Sequence, residues 1–152
     1  MEFIAFLDKV EIEIIRLVEK AGYSLEENTM LCFRGKSYKG FVMNKKKKII
    51  ICTNNAKERE NYKITNRKNS DSFERTSIHI KKALRHEAVH VAQECNNGKI
   101  LETKTGLSIN PAKINALKES TKISGEKEKE IQAYILEDKP NMVKKLLVKY
   151  CL

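Results

Sequence analysis

Two of the three histidines of this chain, His86 and His90, are four residues apart, and Glu87 follows the first of them. On a helix, residues at i and i+4 lie on one face about 6 Å apart, so both imidazoles can point at one metal ion. Glu87 lies at the flank of that face, where a carboxylate can hold the water molecule of a zinc ion. The spacing therefore predicts a zinc site with His86 and His90 as ligands.

A zinc site that performs hydrolysis takes three protein ligands and leaves a fourth position for water, so a third ligand must come from elsewhere. His79 shares the face of His86 but lies two helical turns, about 10.5 Å, away, and we expect it at the surface or behind a ligand. Glu130 is the expected third ligand, because Ala133 in the same helical stripe lets another helix approach closely. Glu126, one turn earlier on the same side, is the alternative.

The motif lies in a predicted helix that runs from about Asp71 to the segment Asn96-Asn97-Gly98. Asp71 followed by Glu74 is a capping-box-like start, and a glycine after two asparagines is typical of a helix end. An apolar stripe that would hold the helix on a core lies well away from both histidines. The stripe consists of Phe73, Ile80, Leu84, Ala88, Val91 and Cys95. The helix therefore has a second face for a metal.

The chain before this helix predicts one amphipathic helix and a small sheet. Apolar residues recur every three or four positions from Glu2 to Ala21, which predicts a helix that covers the core. Short β-favouring runs then predict two or three antiparallel strands: Leu31 to Phe33, Tyr38 to Met43 and Ile49 to Thr53. The polar segment from Asn54 to Ser70 has no periodicity and is expected to be a loop.

Three further helices are expected after the motif helix. They begin at Asn110-Pro111, Ser124-Gly125 and Pro140, and they end near Ser120, near Asp138 and at the C-terminus. A chain of 152 residues suits one domain, residues 1–152, with one core. The predicted fold class is α+β, with a small antiparallel sheet packed on the motif helix and a helical C-terminal half.

The cysteines and the N-terminal segment indicate the cellular location of the protein. The four cysteines, Cys32, Cys52, Cys95 and Cys151, lie far apart, so free and mostly buried thiols are expected, with a contact between the last two left open. The first 22 residues carry five acidic side chains within their apolar pattern, which does not fit a signal peptide or a membrane span. We expect a soluble, cytoplasmic protein that does not act at a membrane.

Positive charge is concentrated in one quarter of the chain. Residues 34–69 hold 12 Lys or Arg residues and two Glu residues, so this segment carries the whole net charge of +10. Such a segment attracts an acidic polypeptide, nucleic acid or an anionic surface, unless it is only a solubilising face. An acidic peptide or protein is preferred to nucleic acid as the partner, because aromatic residues that would stack on bases are sparse there.

The motif also carries a family resemblance. The segment from His86 to Gln93 resembles the active-site helix of the zincin metallopeptidases, and Glu130 to Tyr134 is similar to the Glu-x-x-Ala helix of their gluzincin branch. The resemblance implies that the two histidines and Glu130 bind zinc and that Glu87 is the general base. It also implies that a strand beside the helix pairs with the peptide substrate.

Other enzymes with this motif fit less well. A metzincin needs a third histidine where this chain has Asn96, and a peptide deformylase needs neighbours that Cys32 and Cys52 lack. The resemblance does not assign the group that stabilises the oxyanion, and three tyrosines stay open for that role: Tyr62, Tyr134 and Tyr150. The sequence thus predicts a cytoplasmic zinc metallopeptidase of gluzincin type. The alternative is a basic nucleic-acid-binding or regulatory module with a structural or inactive zinc site.

Overall fold

A computed structural model of the protein describes residues 1–63, 70–103 and 108–152. In chain order the helices and strands are α1 (Lys9–Lys20), β1 (Ser24–Glu27), β2 (Gly40–Met43), β3 (Lys48–Ile51), α2 (Thr53–Arg59), α3 (Asp71–Cys95), α4 (Ile114–Ser124), α5 (Lys127–Leu136) and α6 (Pro140–Cys151). Short 3-10 helices cover Glu2–Phe6, Met30–Arg34, Asn44–Lys46 and Pro111–Lys113. Within the described ranges, every helix is too short or too polar to cross a membrane.

Helix α3 carries the motif and lies at the centre of the packing. It begins at Asp71 as expected, but the cap is Ser70, whose hydroxyl accepts a hydrogen bond from the Phe73 amide at 3.2 Å. After the helix, Asn97 and Gly98 adopt positive φ angles of 57° and 74°, which end it. The sheet, α1, α5 and α6 all contact α3, so its position determines where the motif side chains point.

The predicted apolar stripe of α3 is buried. Phe73, Ile80, Leu84, Ala88 and Val91 lie in the main core, and Cys95 is partly buried beside them. Other small and apolar residues of α3 are buried as well, because the sheet covers one flank and the C-terminal helices cover another: Ala83, Val89 and Ala92. The helical turn from His86 to His90, here called the motif turn, is therefore enclosed on several sides.

The sheet has the strand order β1-β3-β2. Strand β2 pairs antiparallel with β3, as expected, and β1 pairs parallel with it. The α+β class with a helical C-terminal half is confirmed, and the sheet is mixed rather than wholly antiparallel. Strand β1 was not predicted because Ser24–Glu27 contains two glutamates and no β-branched residue. Its edge position tolerates such a sequence.

Three local predictions from the sequence are corrected. Leu31 to Phe33 is part of a 3-10 helix, because the Cys32 amide donates to the Thr29 carbonyl at 3.0 Å within a turn and not to a neighbouring strand. The N-terminal helix is split before Lys9, since the Asp8 amide donates to Glu11 at 3.2 Å in a helix cap. The expected loop after Asn54 is helix α2 up to Arg59, and residues 64–69 of that predicted loop lie outside the described residues.

The prediction of free thiols is wrong. Cys32 is bonded to Cys52 and Cys95 to Cys151, with Cα atoms 5.5 and 5.2 Å apart. Partners 20 and 56 residues apart in sequence meet only after folding, so spacing alone could not pair them. Disulfides are rare in the reducing cytosol. The cytoplasmic location stays a prediction, and these two bonds do not favour it.

A buried ion pair holds α3 against α1 next to the motif. Glu11 of α1 is fully buried, and the Nε of Arg85 donates to its carboxylate at 2.8 Å. The Nη1 of Arg85 also donates to the backbone carbonyl of Glu137 at 3.2 Å. Because Arg85 directly precedes His86, these contacts help to set the rotation of the motif turn relative to α1 and α5.

Replacing Cys95 and Cys151 with serine should lower the free energy of unfolding by about 2–4 kcal/mol, because their bond closes a long loop and restricts the conformations of the unfolded chain. Urea denaturation of the parent and the variant measures the difference. The Cys32→Ser/Cys52→Ser variant is the comparison, with a smaller expected loss for its shorter loop. If a reducing agent leaves the urea midpoint of the parent unchanged, the thiols are free in solution.

Candidate metal site

The three predicted ligands converge where α5 crosses α3. The Nε2 atoms of His86 and His90 are 3.3 Å apart. The two carboxylate oxygens of Glu130 lie 3.0 Å from His86 Nε2 and 3.2 Å from His90 Nε2. Ala133 is fully buried at this crossing, as expected for a small residue that lets the helices approach. The structure thus brings together His86, His90 and Glu130 as possible ligands of one ion.

The donor set fits a zinc ion. Ligand atoms about 2.0–2.1 Å from a tetrahedral zinc ion lie about 3.3 Å from one another, close to the separations found here. The Nδ1 atom of His86 lies 3.0 Å from Glu137 Oε2, and that of His90 lies 2.8 Å from Gln93 Oε1. An acceptor at each Nδ1 keeps the proton there and directs each Nε2 towards the shared centre. Two imidazoles and one carboxylate are typical zinc ligands.

Glu137 is a supporting residue that the sequence did not single out. It is buried, and its second carboxylate oxygen accepts a hydrogen bond from Lys113 at 2.8 Å. Lys113 also donates to the Tyr134 carbonyl at 2.7 Å and to Asp138 at 2.6 Å. Both oxygens of Glu137 are therefore held, and the ring of His86 is held in turn. The available signal was its position seven residues after Glu130 in the same stripe of α5.

Gln93 orients the other histidine and was also not predicted. It is buried one turn beyond His90 on α3, and its side-chain amide donates to the Lys129 carbonyl at 3.1 Å and to Gln132 at 3.0 Å. Gln132 exchanges two hydrogen bonds of 2.8 Å with the backbone of Leu101. These contacts tie the His90 ring to both α5 and the segment after α3. The i+3 spacing from His90 was the sequence signal.

Glu87 is buried beside the ligands but does not belong to them. Its Cγ lies next to strand β2, where a Cβ added at Gly40 would be only 3.3 Å away. Its carboxylate accepts no hydrogen bond from any described residue. Burial raises the pKa of Glu87, although the two nearby histidines oppose this effect. An unpartnered carboxylate with a raised pKa is suited to take up and release a proton.

The metal-free cluster is strongly coupled. Burial lowers the pKa of His86, but the hydrogen bonds that its ring donates to the carboxylates of Glu130 and Glu137 more than reverse this and raise it to about 10. Burial raises the pKa of Glu130, but the hydrogen bonds that its carboxylate accepts from His86 and His90 outweigh this effect and hold the pKa well below its usual range. Glu130 is therefore ionised at neutral pH. A proton on His86 occupies the place that a metal cation would take.

The cluster forms the base of an open cleft of about 330 Å³. One wall comes from strand β2 and the residues that flank it. The other wall comes from α4, from α5 and from the residue that precedes α5. The residues of these walls are Tyr38, Gly40, Phe41, Val42, Asn44, Ser120, Ile123, Glu126 and Lys129. His86, Glu87, His90 and Glu130 lie at the base, so the candidate ligands and the unpartnered carboxylate are accessible from one opening.

Two predicted residues lie outside the ligand set. His79 contacts Glu60 at 2.8 Å on the side of α2, which agrees with the expectation of a surface residue. Glu126 lines the cleft but forms an ion pair with Lys129 at 2.6 Å instead of joining the histidines. Of the two carboxylates considered for the third ligand, Glu130 is the one that contacts both histidines.

The three tyrosines that stayed open do not line the cleft. The ring of Tyr134 packs on His86 with centroids 4.4 Å apart, and its hydroxyl contacts Ser120 at 2.5 Å. Tyr62 packs against aromatic rings of the core, and the Tyr150 hydroxyl accepts a hydrogen bond from the Glu102 amide. Tyr38, which the sequence did not suggest, is the tyrosine of the cleft wall.

Comparison with known proteins places the chain in a family. The family model described as "Domain of unknown function (DUF8637)" matches residues 3–152, and the chain therefore belongs to this family. No curated protein and no solved structure matches the chain.

Alanine in place of His86, His90 or Glu130 should abolish stoichiometric zinc binding, because each change removes one of three ligands. Glu126→Ala is the matched control and should keep the metal, since Glu126 contacts Lys129 instead. Elemental analysis after dialysis against micromolar zinc measures both outcomes. Zinc loss in Glu126→Ala with retention in Glu130→Ala would move the third ligand one turn back along the chain.

Zinc binding should release a proton and strengthen as pH rises. The raised pKa of His86 stabilises the metal-free protein fully below pH about 6.5, and this contribution is lost as pH rises through about 10. Over the same pH interval a smaller fraction of His86 carries a proton that zinc must displace. The apparent affinity of the protein for zinc should therefore increase. Calorimetric titrations in buffers of different protonation enthalpy count the protons released. A binding heat that is independent of the buffer would contradict this expectation.

Proposed function

We propose that the protein is a zinc-dependent peptidase. The observation that carries this proposal is the buried, unpartnered carboxylate of Glu87 beside the converging side chains of His86, His90 and Glu130 at the base of an open cleft. A purely structural zinc site is usually closed by four protein ligands. Three ligands with a free carboxylate beside them favour hydrolysis.

The proposed roles follow from the positions of the side chains. His86, His90 and Glu130 would hold the zinc ion, and a zinc ion bound there would supply a Lewis acid for a carbonyl and a lower pKa for water. Glu87 takes the proton from the attacking water, because its carboxylate has no competing partner and a raised pKa. It then passes that proton to the leaving amine. Glu137 and Gln93 keep the two imidazoles in the orientation that this requires.

The cleft wall formed by β2 supports an extended peptide as the substrate. Strand β2 is an edge strand, so only one of its sides is paired with β3. A peptide can add to such an edge through main-chain hydrogen bonds and would then pass over the cluster at the base of the cleft. Gly40 lets the strand lie close to Glu87, where a larger residue would have to displace it.

The charge of the neighbouring turn supports a preference for acidic substrates. Lys45, Lys46 and Lys47 are exposed in the connection between β2 and β3, whereas Lys48 pairs with Glu26. Three exposed ammonium groups at one end of the edge strand attract carboxylates of a bound peptide. This preference is secondary to main-chain pairing and would weaken with salt.

Glu87→Gln tests the mechanism. The amide keeps the shape of the side chain but cannot act as a base, so zinc content should be unchanged while the rate of cleavage falls by roughly 100-fold or more. Fluorescently labelled casein reports the rate, and elemental analysis reports the metal.

Glu126→Gln is the control for this experiment, because it changes a second carboxylate of the cleft wall without touching the cluster. It should cleave at the parental rate. Equal cleavage by Glu87→Gln and the parent would refute the mechanism. A parent that holds zinc but cleaves none of a set of extended peptides would favour the structural or inactive site of the alternative.

A further inference from the structure

Two large apolar side chains project into solvent from the 3-10 helix Met30–Arg34. Met30 is 83% exposed and Phe33 is 82% exposed, the two highest values among the large apolar residues described. Residues at i and i+3 of a 3-10 helix lie on one face, so these two side chains form one patch. We call Met30 and Phe33 the apolar tip.

The apolar tip stands on a firmly held segment. Cys32, between its two residues, is buried and bonded to Cys52 at the end of β3. The side-chain amide of Asn55 contacts the carbonyls of Cys32, Gly35 and Tyr38 at 2.9, 3.2 and 2.9 Å. A disulfide and a half-buried side-chain amide therefore fix the backbone beneath the tip. Its exposure follows from the fold and not from a loose loop.

Positive charge borders the apolar tip. Arg34 and Lys36 follow it directly and are exposed, with the Lys36 side chain 91% accessible. Lys36 contacts Glu58 only at 3.9 Å, a weak pair in water. Two exposed cations therefore border the tip, and the ion pair of Lys36 is long.

We infer that the apolar tip and its basic border bind the surface of an anionic lipid membrane. A bilayer interface accepts apolar side chains below the headgroups and cations at the level of the lipid phosphates, which is the arrangement found here. Nucleic acid would use the charges but offers no apolar layer for Met30 and Phe33. A peptide with only acidic side chains would likewise leave the tip in water. The protein would then act at a membrane surface as a peripheral protein, which differs from the expectation drawn from the sequence.

The membrane-binding surface adjoins the cleft. Tyr38 and Phe41 line the cleft, and their rings contact each other with centroids 5.4 Å apart. Phe41 also packs on the cluster that contains Cys32, beneath the apolar tip. A protein docked through the tip would therefore hold one wall of its cleft close to the headgroups. Docking itself requires neither zinc nor catalysis.

The test is co-sedimentation of the full chain with vesicles of equal parts phosphatidylcholine and phosphatidylglycerol. The parent should bind these vesicles and not vesicles of phosphatidylcholine alone, and salt should weaken the binding. Met30→Ser/Phe33→Ser should weaken it by roughly tenfold or more with no change in charge. Arg34→Gln/Lys36→Gln should also weaken it and should reduce its dependence on salt.

Ile78→Ser/Val148→Ser is the matched control, because these two apolar residues are each 50% exposed on other helices. It should bind as the parent does. Thermal unfolding confirms that each variant is folded, and Glu87→Gln should bind vesicles fully, which separates this inference from the proposed peptidase activity. Failure of the parent to bind anionic vesicles, or undiminished binding by Met30→Ser/Phe33→Ser, would overturn the inference. The second result would show attraction by charge alone, as for nucleic acid.

Discussion

The crossing of α5 over α3 at Ala133 is the contact on which the candidate site depends. A larger side chain there would separate the helices, and Glu130 would then no longer reach the histidines, whose Nε2 atoms it contacts at 3.0 and 3.2 Å. The same crossing places Glu137 behind His86 at 3.0 Å. One small buried residue thus aligns both a candidate ligand and the carboxylate that orients another ligand. The rest of the fold serves to keep α3 and α5 in this relation.

The electrostatics of the site follow from burying opposite charges together. Glu130 and Glu137 are buried with few cations near them. Their negative charges are balanced by Lys113 and by the imidazoles. A buried carboxylate without a partner is costly, so the cluster favours a cation at its centre, whether a proton on His86 or a metal ion. Glu87 is the exception because it is buried yet unpartnered. Such an exception is more typical of a reactive group than of a structural one.

The two disulfides act at different places in this architecture. Cys95–Cys151 joins the end of α3 to the end of α6 and so supports the central helix from beyond the motif. Cys32–Cys52 instead holds a surface segment against the outer face of the sheet. The first bond contributes to the stability of the core, and the second fixes the shape of an exposed surface. Both pairings arise from distant parts of the chain.

The sequence alone determined the features that depend on local spacing. The i, i+4 histidines, the bounds of α3 and the helical C-terminal half all follow from helical periodicity and from capping residues, which act over a few neighbours. Even Glu130 could be chosen, because Ala133 marks a close helix contact. Only the tertiary structure decided the parallel pairing of β1, the cysteine partners, the roles of Gln93 and Glu137, and the exposure of Met30 and Phe33. These features depend on which distant segments meet, and neither propensity nor spacing within a segment carries that information.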